Sequence, residues 1–235
     1  MNTALILSGG IGGRMGIEIP KQYIEVQNRL VISYSIEVLS RHVGIDAIQI
    51  VAAPQWHEKI VESLTTYDKD KKFRGFSAPG ENRQLSIYHG LTDIRSFAKD
   101  SDIVLIHDAA RPLLSEQIIT DSLSAVEGHD GVLPILSMKD TVYKSEDGRR
   151  IDALLDRDKL FAGQAPETFR IGAYYQANRR LRFDQMLSIN GAAEPAFMAG
   201  LDIVMIAGDE DNFKITTKKD LERFEQISEM SLLKD

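Results

Sequence analysis

The chain contains no cysteine. Disulfide staples and thiolate zinc sites are thereby excluded. No apolar run approaches the roughly 18 residues that would suggest a membrane span. No basic segment precedes a long apolar stretch at the start, so no signal peptide is expected and the cytoplasm is the expected location. Positive charge is in deficit: 28 Lys and Arg against 35 Asp and Glu leave a net charge of −7. That balance argues against nucleic acid or a membrane surface as partner. Internal repeats, low-complexity segments and flexible linkers are missing too. At 235 residues, the expectation is a single domain spanning 1–235, or a domain with an excursion. None of the five histidines forms an i, i+4 metal-ligand pair.

What is present begins at the N-terminus. The apolar run Ala4 to Leu7 reads as a buried strand. It breaks into Ser8-Gly9-Gly10-Ile11-Gly12-Gly13-Arg14-Met15-Gly16, followed by Pro20-Lys21-Gln22-Tyr23. Glycine lets the backbone turn tightly and approach a ligand closely. Successive backbone N–H groups in such a turn form a concave anion site. Arg14 and Lys21 add two full positive charges there, which suits a nucleoside triphosphate. The loop lacks the Gly-Lys-Ser/Thr ending of a P-loop. It does not fit the G-x-G-x-x-G dinucleotide pattern either, because Met15 stands where the third glycine belongs. A plain strand-to-helix turn is the alternative, and the paired cations argue against it.

Apolar β-branched runs then alternate with amphipathic segments. Strands are expected at Ala47–Ala53, Lys72–Ser77, Ile103–His107, Gly131–Ile135 and Ile203–Ala207. Helices are expected at Leu30–Arg41, Trp56–Tyr67, Asn82–Phe97, Ser115–Val126, Ile171–Arg182 and Lys219–Leu233. The alternation predicts an α/β fold, a mostly parallel sheet covered by helices on both faces. After Leu136 the rhythm changes. Met138–Lys144 and Ile151–Leu155 read as two exposed strands around the turn Ser145-Glu146-Asp147-Gly148, a β-hairpin arm leaving the main body.

Ligands of open α/β sheets sit beyond the carboxyl ends of the strands. The candidates there are Gly9 to Arg14, Gly80 to Arg83, His107 to Arg111, and Asp211 to Lys214. Asp108 follows four apolar residues, and a carboxylate so placed needs a charged partner. Mg²⁺ bridging triphosphate oxygens would serve; a salt bridge to Arg111 is the alternative. Lys214 reads either as a third cation for phosphate or as a surface lysine. His107, inside a buried run, is expected to be a packed, hydrogen-bonded histidine rather than a base. Nucleotidyl transfer relies on positioning and electrostatic stabilisation. Arg14, Lys21, Lys214 and Asp108 meet that demand, and no Ser-His-Asp order or cysteine nucleophile competes with them.

Together the segments SGGIGGRMG, PKQY, GENRQLS, HDAARP, KDTVYK, DRDKLFAGQAPETF and NFKITT make the chain resemble the cytidylyltransferases acting on 2-C-methyl-D-erythritol 4-phosphate or D-ribitol 5-phosphate. The resemblance spans nearly the whole chain. It implies a Rossmann-like nucleotidyltransferase domain whose arm, at about 137–170, builds a homodimer and reaches the neighbouring subunit's site. It implies CTP as co-substrate, Mg²⁺ held by Asp108, a polyol phosphate acceptor, and pyrophosphate as by-product. Arg14, Lys21 and Lys214 would then be catalytic. Ser8, Gly9, Gly10, Gly12, Gly13, Gly80, Glu81, Arg83 and Ser86 would bind the nucleotide, and Thr141 and Arg157 the acceptor.

The chain also departs from the family pattern. Gln164-Ala165-Pro166-Glu167 replaces a stretch that often reads Q-T-P-Q, so a threonine hydroxyl is lost and a neutral amide becomes a carboxylate. The usual T-D-E/D-A stretch is absent; Glu194 in Asn190-Gly191-Ala192-Ala193-Glu194-Pro195-Ala196 is the candidate for its acidic member. The motifs tilt the acceptor slightly to methylerythritol phosphate over ribitol phosphate. Two other readings stay open: a sugar-1-phosphate transferase using UTP or GTP, and a non-catalytic nucleotide-binding homologue.

Overall fold

The computed structural model describes residues 1–10 and 19–232. In chain order the strands are β1 (Asn2–Leu7), β2 (Glu25–Val26), β3 (Arg29–Leu30), β4 (Ala47–Val51), β5 (Phe73–Ser77), β6 (Ile103–Asp108), β7 (Gly131–Ser137), β8 (Val142–Lys144), β9 (Ala153–Leu155), β10 (Phe161–Gly163), β11 (Glu167–Arg170) and β12 (Ile203–Ala207). The helices are α1 (Val31–Arg41), α2 (His57–Tyr67), α3 (Arg83–Ile94), α4 (Glu116–Ala125), α5 (Ile171–Arg179), α6 (Phe183–Ser188), α7 (Ala193–Met198) and α8 (Lys218–Leu232).

An eight-stranded sheet forms the centre. β5, β4, β1 and β6 are parallel neighbours in that order. β11 lies antiparallel between β6 and β7, while β12 runs parallel to β7 at the far edge. Every residue of β4 and β6 is buried, as near-continuous apolar strands covered on both faces should be. One face packs Ile6, Ile48 and Leu105 against Ile36, Ile60 and Ile119 of α1, α2 and α4. The other packs Leu5, Val104 and Ile106 against Ile87, Leu91 and Tyr174 of α3 and α5. α8 closes one end, with Phe224 buried beside Val31 and Ile215.

Local chemistry fixes the helix starts. The Asn82 side chain accepts the Leu85 N–H at 2.9 Å and caps α3, and Ser115 caps α4. At α8 the Asp220 carboxylate accepts the N–H groups of Thr216 and Thr217 at 2.9 and 2.7 Å. Each is a side-chain oxygen satisfying a donor that the helix itself leaves unpaired.

The structure differs from the expected elements in three places. β11 is an antiparallel strand in the middle of the sheet, at Glu167–Arg170; its charged ends hide it from any apolar pattern. The helix expected over Ile171–Arg182 stops at Arg179, and α6 restarts after Arg182, whose N–H donates to Gln185 Oε1 at 2.9 Å. The expected strand Met138–Lys144 is shorter: β7 runs on to Ser137, and only Val142–Lys144 pairs with β9. The excursion itself is present. β8 and β9 form a separate two-stranded sheet, and its tip is turned by Asp147, which accepts the N–H groups of Arg149 and Arg150.

His107 is fully buried on β6, its Nε2 within 3.2 Å of Ser35 Oγ and 3.0 Å of the Arg111 carbonyl. Burial pushes its pKa down to about 4. Between the ordinary histidine value and 4 the unfolded chain binds a proton that the folded chain refuses, so stability falls as pH falls through that window. In His107→Gln, denaturant titration at pH 7 and pH 4 should show a loss of unfolding free energy smaller by about 3 kcal/mol than in the parent.

Candidate active site

β1 sits where the sheet order reverses, with β4 on one side and β6 on the other. At its carboxyl end, Leu7 is in register with both Val51 and Asp108. Such a switch point opens a crevice, and here it is a cleft of about 620 Å³. Gly9, Gly10, Lys21, Gly80, Glu81, Arg83, Ser86, Asp108 and Lys214 all border it. Segments from the beginning, middle and end of the chain therefore converge as the sequence reading expects. Gly12, Gly13 and Arg14 lie outside the described residues. Ser8 is buried, its hydroxyl donating to Tyr23 Oη at 2.8 Å. Thr141 and Arg157 are exposed on the excursion and do not border the cleft of their own chain. Arg157 donates to the Lys139 carbonyl at 2.7 Å.

Two glycines let the walls come together. A Cβ at Gly9 would stand 2.6 Å from Pro79 Cβ, and one at Gly80 would stand 2.3 Å from Leu85 Cβ. The Ser86 hydroxyl knits the second wall, accepting the Gly80 N–H at 3.0 Å and donating to the Asn82 carbonyl at 2.9 Å. α3 begins here, so its N-terminal end presents partial positive charge to the cleft.

Asp108 is the electrostatic centre. Its Oδ1 lies 3.1 Å from Arg83 Nε, and its Oδ2 lies 2.9 Å from Lys214 Nζ and 3.5 Å from Arg111 Nε. Burial alone would raise its pKa, but Arg83, Lys214 and Arg111 hold it well below the usual carboxylate range. The salt bridge from Asp108 to Arg111 is formed, and the carboxylate, on the cleft wall, also holds Lys214. Arg83 reaches a second carboxylate, Glu167, at 3.0 Å. Burial lowers the tendency of Arg83 to carry charge, but Asp108 and Glu167 outweigh it and raise its pKa. Glu167 goes the other way: burial raises its pKa, and Arg83 only partly offsets this.

Several structuring residues went unnoticed in the sequence. Gln22 is buried, and its Nε2 donates to the Ser8 and Gly10 carbonyls at 2.8 and 2.7 Å. Tyr23 donates to the Ser8 carbonyl at 2.9 Å and stacks on Trp56. These two residues, adjacent to Lys21 in one short turn, brace the start of the glycine-rich loop. The loop carrying Lys214 is held by Arg111, which donates to the Asn212 carbonyl at 2.7 Å, and by Ile215, whose N–H donates to the Ala110 carbonyl. Gln164 joins that loop to the end of the excursion, donating to the Asp209 carbonyl at 2.8 Å and accepting the Asp209 N–H at 3.0 Å. Glu194 accepts the N–H groups of Asn190 and Gly191, so its carboxylate is engaged at the start of α7.

The sequence model of the IspD family, 2-C-methyl-D-erythritol 4-phosphate cytidylyltransferase, matches residues 3–230. The chain is similar to the 2-C-methyl-D-erythritol 4-phosphate cytidylyltransferase of Syntrophotalea carbinolica, at 35% identity over 219 residues that cover 92% of this chain and 91% of that one. It is also similar to the ribitol-5-phosphate cytidylyltransferase of Streptococcus agalactiae serotype III, at 28% identity over 228 residues covering 97% and 95%. Among solved structures, the 4-diphosphocytidyl-2C-methyl-D-erythritol synthase of Anaerococcus prevotii shares the fold with a TM-score of 0.82 at 24% identity, covering 97% of this chain and 96% of that one.

Replacing Gln22 by Leu removes both donors that hold the loop carbonyls. Leaving such acceptors unmet costs on the order of 1–3 kcal/mol, so chemical denaturation of Gln22→Leu should show a loss of that size.

Proposed function

The chain belongs to the IspD family of cytidylyltransferases, and from that premise we propose that its cleft transfers CMP from CTP to 2-C-methyl-D-erythritol 4-phosphate. The chain is a nucleotidyltransferase of the CTP-dependent kind that acts on a polyol phosphate. What carries the assignment of the site is the convergence of Lys21, Asp108 and Lys214 on one cleft beside the N-terminus of α3.

An oxygen of the acceptor's phosphate attacks the α-phosphorus of CTP. A new phosphoanhydride bond forms, the bond to the β-phosphate oxygen breaks, and pyrophosphate leaves with its electrons. The attacking group is already an anion at neutral pH, so no protein base is needed. Lys21 and Lys214, with Arg14, neutralise the charge that builds on the phosphate oxygens. Gly9, Gly10, Gly80, Glu81 and Ser86 shape the nucleoside pocket, with Ser8 supporting it from beneath. Gly12 and Gly13 would bind the nucleotide with them. Lys21 also bears electrostatically on Asp220 at the start of α8.

A divalent cation would fit at Asp108. Among the described residues no group of three or more His, Asp and Glu could cage a metal ion, but Mg²⁺ in nucleotide sites takes only one or two carboxylates plus substrate phosphates. Asp108, on the cleft wall, meets that requirement. Bound there, Mg²⁺ would screen triphosphate charge and polarise the α-phosphoryl group.

The acceptor carries one competing reading. Relatives named for ribitol 5-phosphate match the chain over as much of its length as those named for methylerythritol phosphate. A pyrophosphate-release assay with CTP and Mg²⁺ on both acceptors should show turnover on methylerythritol phosphate. Preference for ribitol phosphate would reverse the assignment, and a UTP preference would remove it. In the same assay Lys21→Ala should lower kcat by roughly 10²–10³-fold with unchanged circular dichroism.

We place the chain in a homodimer in the cytoplasm. No helix among the described residues is long and apolar enough to cross a membrane. The excursion exposes Tyr143, Ile151 and Leu154, apolar area that a second copy would cover. Thr141 and Arg157 on the same excursion would then contact the acceptor in the neighbouring subunit. Light scattering should give a dimer for the parent chain and a monomer for Leu154→Glu.

A further inference from the structure

Glu167 stands opposite Ile106 in the β11–β6 register, two positions before Asp108 on β6. It is buried and does not border the cleft. Its Oε2 accepts from Arg83 Nη2 at 3.0 Å, while Arg83 Nε meets Asp108 Oδ1 at 3.1 Å. One guanidinium thus spans two carboxylates, one facing the cleft and one behind it.

The charges can be counted. Asp108 receives Arg83, Lys214 and Arg111. Those three cations would outnumber one carboxylate by two. Glu167 brings the set to three positive against two negative charges. Its hydrogen bond also holds the far end of the fork, so that Nε rather than both donor arms faces Asp108. A carboxylate already gripped by a full guanidinium fork is a poor ligand for a second cation.

We propose that Glu167 is a positioning residue that acts through Arg83: it offsets part of that arginine's charge and leaves Asp108 able to accept a divalent cation together with the nucleotide. The proposal rests on the cytidylyltransferase reading of the cleft. It explains why a carboxylate is compatible with a site for anions, because the Glu167 charge is spent on Arg83 and does not face the cleft.

Charge, not shape, is what Glu167→Gln removes, since the amide oxygen can still accept from Arg83. Loss of a negative charge this close makes the cleft more attractive to CTP and less attractive to a cation. The two affinities should therefore move in opposite directions, which a merely structural role would not produce. Calorimetry with CTP in EDTA should show binding roughly three- to tenfold tighter in Glu167→Gln, and electron paramagnetic resonance with Mn²⁺ at saturating CTP should show half-saturation roughly three- to tenfold higher. Glu167→Asp, which keeps the charge, should leave both constants within about twofold of the parent.

Constants in Glu167→Gln that stay within twofold, or that move in the same direction, overturn the proposal. So does a Glu167→Asp variant that behaves like Glu167→Gln. Should Glu167→Gln not fold, Glu167→Met, uncharged and of similar length, takes its place: the same opposed shifts in CTP and Mn²⁺ affinity are expected, and constants within twofold of the parent or moving in the same direction overturn the proposal. A parent chain that binds CTP without any Mn²⁺ dependence sinks the metal reading of Asp108, and this proposal with it. Metal-dependent CTP binding in the parent with no response to the Glu167 variants sinks the proposal alone.

Discussion

The cleft depends on one buried carboxylate that never stands alone. Asp108 ends the fully buried strand β6, where an isolated charge would cost several kcal/mol. The fold meets that cost with cations from three places: Arg83 at the start of α3, Arg111 in the turn after β6, and Lys214 from the loop before α8. The same attraction that makes the carboxylate tolerable assembles the site. It draws segments separated by more than a hundred residues to the end of one strand. The result is a wall with more positive than negative charge in a protein that is acidic as a whole.

Much of this was legible beforehand because it obeys local rules. Strands β1, β4 and β6 are buried on both faces, so their apolar runs announce them. Because the sheet is largely parallel, the residues after those runs had to share one edge. Gly9 after β1 and Asp108 at the end of β6 lie on that edge, and Gly80 after β5 and Lys214 after β12 join them there. Lys214 illustrates the limit: as a single lysine it reads equally well as surface, and only its ion pair with Asp108 distinguishes it.

What escaped the reading was set by partners distant in sequence. β11 has only four residues, with Glu167 and Arg170 at its ends, and it becomes a strand because β6 and β7 offer it two open edges. Gln22 gives no periodic signal, since its work is to satisfy two carbonyls within a short turn. Glu167 looked out of place beside an anionic ligand. The missing information was Arg83, 84 positions away. Polar side chains whose purpose is to neutralise or brace other polar groups leave no pattern along the chain.

Gln164 stands where the excursion rejoins the sheet. Its backbone N–H donates to the Pro134 carbonyl, and its side-chain amide clasps Asp209 in the loop that leads to Lys214. The hairpin's root and the loop of a cleft lysine are thus clasped together, a contact that Asn212 reinforces by donating to the Ala165 carbonyl, whereas the hairpin's tip, near Asp147, is turned by its own hydrogen bonds. For protein engineering this divides the arm into two zones. Cargo grafted at the tip hangs from a self-contained loop, while cargo grafted at the root would pull on the same clasp that steadies the loop carrying Lys214.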